Sequence, residues 1–219
     1  MTYMDFTLRY IKKQSVAEPI YTREVAEAIA EEFGISKKTA ALRAASSINR
    51  ILSEGKLPSL RRYQKGIYYK TEPTFFGEAV IDKAQLIQNK YLLPDIGYEA
   101  GESILHRLGL TTWMPRKRIL ATNAAKKSIR YDQKLDVWIR PGKTKINQDN
   151  MKYLQTLDVL YSLDRSPVDV KDPYKILAKH IERNKLRYDI LLAYAATYYS
   201  QKTILALAEV TKKKEILFL

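Results

Sequence analysis

Read as a pattern of apolar and polar positions, the chain opens with helical spacing and then changes period. Between residues 3 and 13, Met4 lies near Thr7, Leu8 and Ile11, which predicts a first helix, and Glu18-Pro19 breaks it. In TREVAEAIAEEFGI, Val25, Ile29 and Phe33 line one face. Thr22 is the expected N-cap, Glu24 a first-turn acid and Gly34 the stop. Ser36 is expected to cap a third helix. Centring its buried face on Ile48 brings Ala41, Ala44, Ala45, Ile51 and Leu52 alongside and leaves Thr39, Arg43, Ser46 and Arg50 on the opposite face. Gly55 and Pro58 close that helix. SLRRY, QKG and IYYK then read as strand, tight turn around Gly66 and strand, with Leu60, Ile67 and Tyr69 turned onto the helices. Two helices joined by a turn at Gly34 to Ser36 and followed by a hairpin predict a winged helix-turn-helix over residues 1–72.

From Thr71 to Phe76 the basic charge stops and Pro73 and Phe75 enter, which predicts a linker into a second domain, residues 73–219. Helical spacing is expected over Glu78 to Asn89, through Ala79, Ile81, Ala84 and Ile87, and over Tyr98 to Leu108, through Ala100, Ile104, Leu105 and Leu108. After Gly109 and Pro115, the runs Arg118 to Thr122, Ser128 to Tyr131 and Leu135 to Arg140 predict a small antiparallel sheet, left by a turn at Pro141-Gly142. Helices are expected again over Met151 to Leu163, Asp172 to Ile181, Lys185 to Tyr199 and, briefly, Thr203 to Val210. Tyr194 and Tyr198 continue a stripe begun by Leu186 and Ile190 and are assigned to the core. The final ILFL is either a docked strand or a loose end. The fold class is therefore α+β: a winged helix-turn-helix, then a mixed α/β domain with a helical end.

Charge adds a direction to this architecture. The 219 residues are 46% hydrophobic and 28% charged, an ordinary globular balance, yet the net charge is +14, which favours a polyanionic partner. Residues 36–70 hold nine basic side chains (Lys37, Lys38, Arg43, Arg50, Lys56, Arg61, Arg62, Lys65, Lys70) against Glu54 alone, while residues 1–35 sum to −2. A cluster of that kind on a helix-turn-helix is the footprint of a phosphate-facing surface. Lys37 and Lys38 are expected to hold phosphates at the helix N-terminus, and Thr39, Arg43, Ser46 and Arg50 to face the major groove. Arg61, Arg62, Gln64 and Lys65 would meet the flanking groove or backbone. A second basic stretch, residues 115–145, includes Arg116, Lys117, Arg118, Lys126, Lys127 and Arg130. For it, phosphate contact and plain solvated surface both remain open.

Catalytic constellations are absent from the sequence. There is no cysteine, and the two histidines, His106 and His180, fall in different expected helices without partners at ligand spacing, so each reads as the rim of a helical core. No Walker loop, GxGxxG, GxSxG or HExxH occurs. Asp132 and Asp136 lie near a basic strand, but no acid-x-lysine follows to complete a nuclease site. No enzyme activity, metal or cofactor is expected. With no signal-peptide-like start and no apolar run of bilayer length, the expected location is the cytoplasm.

On three stretches the sequence resembles the AbiEi-like antitoxins of type IV toxin-antitoxin (abortive infection) systems: the opening TREVAEAIAEEFGISKKTA, the wing exit KGIYYK, and the run GESILHRLGLTTWMPRKRILATN. Within the last, LGLTTWMP is the distinctive part. The helical continuation YDILLAYAATYYSQKTILALAEV fits the same pattern. The resemblance implies a first domain that represses transcription by binding inverted repeats in its own promoter, and a second that counters a nucleotidyltransferase-like toxin in phage defence. The expected partners are thus double-stranded DNA and such a toxin, with no membrane. Two other readings stay open: a protein- or RNA-interaction module scaffolded by the winged helix, and a nuclease centred on Asp132 and Asp136.

Overall fold

Thr2 and Asp5 start the chain with a reciprocal cap. The Thr2 hydroxyl accepts the Asp5 N–H at 3.2 Å and the Asp5 carboxylate accepts the Thr2 N–H at 3.2 Å, which opens α1 (Tyr3–Lys13). The computed structural model describes residues 1–94 and 96–217, with side chains to Lys213; of the ILFL ending, Phe218 and Leu219 lie outside this range. The chain divides into two units, Met1–Leu86 and Ile87–Leu219.

In the first unit α1 is followed by β1 (Ile20–Tyr21), α2 (Thr22–Phe33), α3 (Lys37–Ser53), β2 (Leu60–Gln64) and β3 (Ile67–Lys70). The sheet order is β1-β3-β2, all antiparallel. This is the expected winged helix with one strand more than the pattern predicts, since Ile20 and Tyr21 extend beside Tyr68 and Ile67. Gly34, in the left-handed region at φ 61°, ends α2, and Ser36 caps α3 by accepting the Thr39 N–H. Thr22 is not the cap of α2. Its N–H and hydroxyl both point to the carbonyl of Gly66, at 3.0 and 3.3 Å, and fasten the wing turn to the start of α2. Ile11, Ile20, Val25, Ile29, Ile48, Ile51, Leu60 and Tyr68 form the core, and each such side chain contributes roughly 1.5–3 kcal/mol by leaving water.

Two details of this core differ from the pattern. On α3 the buried stripe is Ala40, Ala44, Ser47, Ile48 and Ile51, whereas Ala41 is exposed and Ala45 and Leu52 half-buried. Alanine has one methyl to hide, so Ile48 and Ile51 set the rotation and spacing by four then buries Ala44 and Ala40. In the wing Tyr68, not Tyr69 or Ile67, is buried. Leu60 pairs with Lys70 and Arg62 with Tyr68, so period two puts Tyr68 on Leu60's face. The expected linker is also structured: β4 (Pro73–Thr74) and β5 (Gly77–Glu78) form a hairpin with Phe75 and Phe76 exposed at its tip. The Thr71 hydroxyl donates to the carbonyl of Ala79, and Asp82 N–H to that of Ala17. These bonds hold the segment to the wing and move the boundary from 72/73 to 86/87.

The second unit begins where α4 (Lys83–Ile87) widens into a π-helical turn, Gln88–Leu92. The helix expected over Glu78 to Asn89 is thus confined to its second half. The helix expected from Tyr98 is split: Gly97–Ala100 is β6, and after Gly101 at φ 71° comes α5 (Glu102–Arg107). Gly97 is required by close approach, because a Cβ there would lie 2.1 Å from the carbonyl oxygen of Tyr91. β7 (Ile119–Thr122), β8 (Arg130–Asp132) and β9 (Val137–Arg140) complete a sheet of order β6-β7-β9-β8. It is not wholly antiparallel. The chain crosses past β7 to place β8 at the edge, so β9 returns parallel to β7, Ile119 opposite Trp138.

Four helices follow: α6 (Met151–Ser162), α7 (Pro173–Arg183), α8 (Tyr188–Tyr198) and α9 (Gln201–Leu217). The last runs well past the expected Thr203 to Val210. On α8 the buried stripe is Leu191 and Ala195; Tyr194 is half-buried against the core, and Tyr198, stacked on Tyr194, is 38% exposed. Among the described residues no helix is long and apolar enough to cross a membrane.

Candidate nucleic-acid interface

The outward face of α3 follows from its buried stripe. Lys38, Thr39, Leu42, Arg43, Ser46, Asn49, Arg50 and Ser53 are exposed, and at roughly 100° per residue the centre of that face falls on Leu42, Ser46 and Asn49. Two of these were not anticipated. Leu42 is 68% exposed, an apolar contact of the type that reads a thymine methyl, and Asn49 is a side chain that can pair with an adenine edge. The sequence signal was there in principle, since a face centred between Ala44, Ile48 and Ile51, rather than on Ile48 alone, falls opposite Leu42.

The predicted members of the face are exposed but not equivalent. Thr39 is drawn into the cap, its hydroxyl 2.9 Å from that of Ser36. Arg43 lies toward α1 with its guanidinium over the Tyr3 ring at 5.4 Å. Arg50 pairs with Glu54 at 3.1 Å, and Lys56 reaches the same carboxylate at 2.9 Å. Arg61 points away from the wing tip, donating to the Pro58 carbonyl at 2.6 Å and pairing with Glu78 at 2.9 Å, so it braces the second hairpin. Gln64 is half-buried beside the irregularity that interrupts β2. By contrast Lys37, Lys38, Arg62 and Lys65 are exposed and make no ion pair among the described residues.

The Thr22–Gly66 link makes these cations one surface. It sets Lys65 and Gly66 of the wing beside the first turn of α2, where Arg23 is exposed, its guanidinium over the Tyr21 ring at 5.1 Å and in a long, solvent-exposed pair with Glu24 at 3.9 Å. Arg23 and Lys37 then line a shared shallow groove between α2 and α3 with Ala26, Glu27 and Ala41. The path from wing tip to the start of α2 to the start of α3 therefore carries Lys65, Arg23, Lys37 and Lys38 in succession. Both helices present their N-terminal ends there, which favours anions. Arg23 lies outside the basic cluster in sequence; the fold recruits it.

In the second unit the six candidate basic residues divide. Arg118 shares Glu99 with Arg107, at 3.3 and 2.9 Å, and Lys117 lies over the Trp138 ring at 5.2 Å. Arg116, Lys126, Lys127 and Arg130 are exposed without ion pairs among the described residues. Asp132 accepts bonds from Lys90 at 2.8 Å, the Tyr91 hydroxyl at 2.6 Å and the amides of Lys134 and Leu135 at 3.2 Å, while Asp136 accepts the Tyr131 hydroxyl at 2.6 Å. Both carboxylates are committed to their turn. Among the described residues no three His, Asp or Glu side chains converge as a metal site.

These bonds have a pH consequence. Burial pushes the Asp132 carboxyl up, but the Lys90, Tyr91 and Leu135 bonds outweigh it and bring it from the ordinary 3.8 to about 2. A depressed folded value stabilises above the unfolded value and is lost on acidification, here between about pH 4 and 2, and is worth about 2 kcal/mol. Asp132→Asn should cost the second unit about that much at pH 7, with the difference from wild type vanishing near pH 2. Urea denaturation followed by tryptophan fluorescence checks it, because both tryptophans, Trp113 and Trp138, belong to this unit.

A buried polar cluster was not anticipated at all. Asp158, 3% exposed, pairs with Arg140 and accepts the hydroxyls of Tyr98 at 2.7 Å and Tyr199 at 2.9 Å. It joins β6, β9, α6 and the end of α8. The one sequence hint is an acid inside the apolar run LQTLDVLYSL, where a charge must be paired to be tolerated. Compared with known proteins, the chain matches no family model and no curated protein.

Proposed function

We propose that the protein is a non-enzymatic, cytoplasmic regulator that binds duplex DNA through its first unit. The observation that carries this is the continuous cationic path formed when Thr22 fastens the wing to α2, bordering the exposed face of α3. Leu42, Ser46, Asn49 and Arg43 would face base edges, and Lys37, Lys38, Arg23, Arg62 and Lys65 the phosphates. Arg43→Ala should cost on the order of 1–3 kcal/mol on the preferred site and flatten discrimination between site variants. Lys65→Ala should weaken all duplexes alike. Gel-shift titration of both variants on promoter and random duplexes checks the distinction; equal, sequence-independent losses would make Arg43 a phosphate contact only.

The second half of the proposal is that residues 87–219 serve as the antitoxin part, countering a nucleotidyltransferase-like toxin without chemistry of their own. Its support is the resemblance carried by LGLTTWMP and the exposed Arg116, Lys126 and Lys127, without ion pairs among the described residues, which could compete for a toxin's acidic site or its polyanionic substrate. Co-expression with a neighbouring toxin should give growth rescue by the full-length chain and loss of rescue when Arg116, Lys117, Arg118, Lys126 and Lys127 become alanine. Rescue by the winged helix alone would overturn it.

A further inference from the structure

We propose that the outer sheet face at Tyr131 and Trp138 is a stacking platform for the bases of unpaired nucleic acid, separate from the duplex surface of the first unit. Three features converge there. The antiparallel register sets Tyr131 directly opposite Trp138, so the two rings share one face of the β8–β9 edge, with centroids 5.2 Å apart and planes at 36°. Tyr131 is 46% exposed and the neighbouring Ile129 52% exposed. A wet sheet face ordinarily alternates to polar side chains; here it presents aromatic rings. The rings are also held in place. The Tyr131 hydroxyl donates to Asp136 at 2.6 Å and the Lys117 ammonium sits 5.2 Å from the Trp138 centroid, so little side-chain freedom remains to be lost on binding.

The surrounding charge selects the occupant. Residues 115–145 contain ten basic side chains against Asp132 and Asp136, and both acids are already bonded to Lys90, Tyr91 and Tyr131. Lys117, over the Trp138 ring, is the cation that shares this face, with Arg116 next to it in the chain, exposed and without an ion pair among the described residues; Arg130 adjoins Tyr131 but lies opposite Ile139, on the other face of the edge strand. Cations alone would suit any polyanion, and a duplex keeps its base faces stacked inside. The exposed Tyr131 ring, backed by Trp138 and with Lys117 beside it, matches a strand whose bases are free to stack and whose phosphates need neutralising. RNA and single-stranded DNA share that chemistry.

Fluorescence anisotropy of the full-length chain with labelled oligouridine, oligothymidine and a random duplex tests this. Both single strands should bind, with quenching of tryptophan emission, and the stronger of the two identifies the natural source. Tyr131→Ala should weaken single-strand binding by about fivefold to a hundredfold, while Tyr131→Phe, which keeps the ring, retains it and both leave duplex affinity unchanged. Absence of single-strand binding, equal binding by the alanine and phenylalanine variants, or a parallel loss of duplex affinity would overturn the proposal. Trp138 is half-buried, so Tyr131, on the exposed edge, is the position to vary.

Discussion

Duplex affinity of the full-length protein should fall roughly a thousandfold between about 50 and 200 mM salt. Arg23, Lys37, Lys38, Arg62 and Lys65 are the exposed phosphate-facing cations along the path from wing to recognition helix, and the charge of Arg43, facing the bases, displaces counterions as well. Neutralising about six phosphates releases enough counterions for a logarithmic salt slope near −5. Arg50 and Arg61 contribute less, because Glu54 and Glu78 already hold them. Anisotropy titrations at a series of salt concentrations measure the slope directly. A slope near −2 would mean that the wing or the helix touches DNA alone, and that the Thr22–Gly66 link does not build one surface.

Asp158→Ala should destabilise the second unit by about 3 kcal/mol, the cost of leaving a largely covered guanidinium without its counter-charge. Arg140 has Asp158 as its ion-pair partner, and the Tyr98 hydroxyl loses its acceptor in the same substitution, whereas the Tyr199 hydroxyl keeps the Leu154 carbonyl at 3.2 Å. Tyr98→Phe removes a single bond and should cost about 1 kcal/mol. Tryptophan-detected urea unfolding separates the two, and near-equal losses would show that Arg140 finds water when Asp158 is gone. The cluster also sets an alkaline limit. Burial, followed by the Asp158 charge, pushes both tyrosine hydroxyls above their usual range. Stability from a raised group is complete below the unfolded value near 10 and declines as pH rises beyond it, so the second unit should weaken above about pH 10.

Much of the first unit was legible because its signals are local. Gly34 and Ser36 mark a helix-turn-helix through their own backbone requirements, and Gly66 marks the wing. Thr22 shows where such reading fails: a threonine before an amphipathic helix is usually its cap, yet here its hydroxyl and N–H serve a carbonyl 44 residues away. Arg23 became part of the site through that same long-range bond. Centring the buried face of α3 on Ile48 alone turns it away from the true stripe, which Ile51, Ala44 and Ala40 draw to one side, and so leaves Leu42 and Asn49 off the outward face. In the second unit Gly97 and Gly101 interrupt an otherwise helical spacing, but the strand they bound exists only because Thr122 to Ile119 lies alongside. The parallel pairing of β7 and β9 depends wholly on tertiary placement, and of the Asp158 cluster the sequence shows only the acid in an apolar run, not the Arg140, Tyr98 and Tyr199 that meet it.

On the proposed reading, α3 recognises a particular duplex sequence. Selection from a random duplex library by the full-length protein, with the bound fraction sequenced, tests it most directly. Enrichment of one motif, collapsing when Leu42 and Arg43 are changed to alanine while total binding persists through the wing lysine and the helix N-termini, is the predicted result. Recovery of duplexes with no enriched motif, or a motif unaffected by both substitutions, would contradict it.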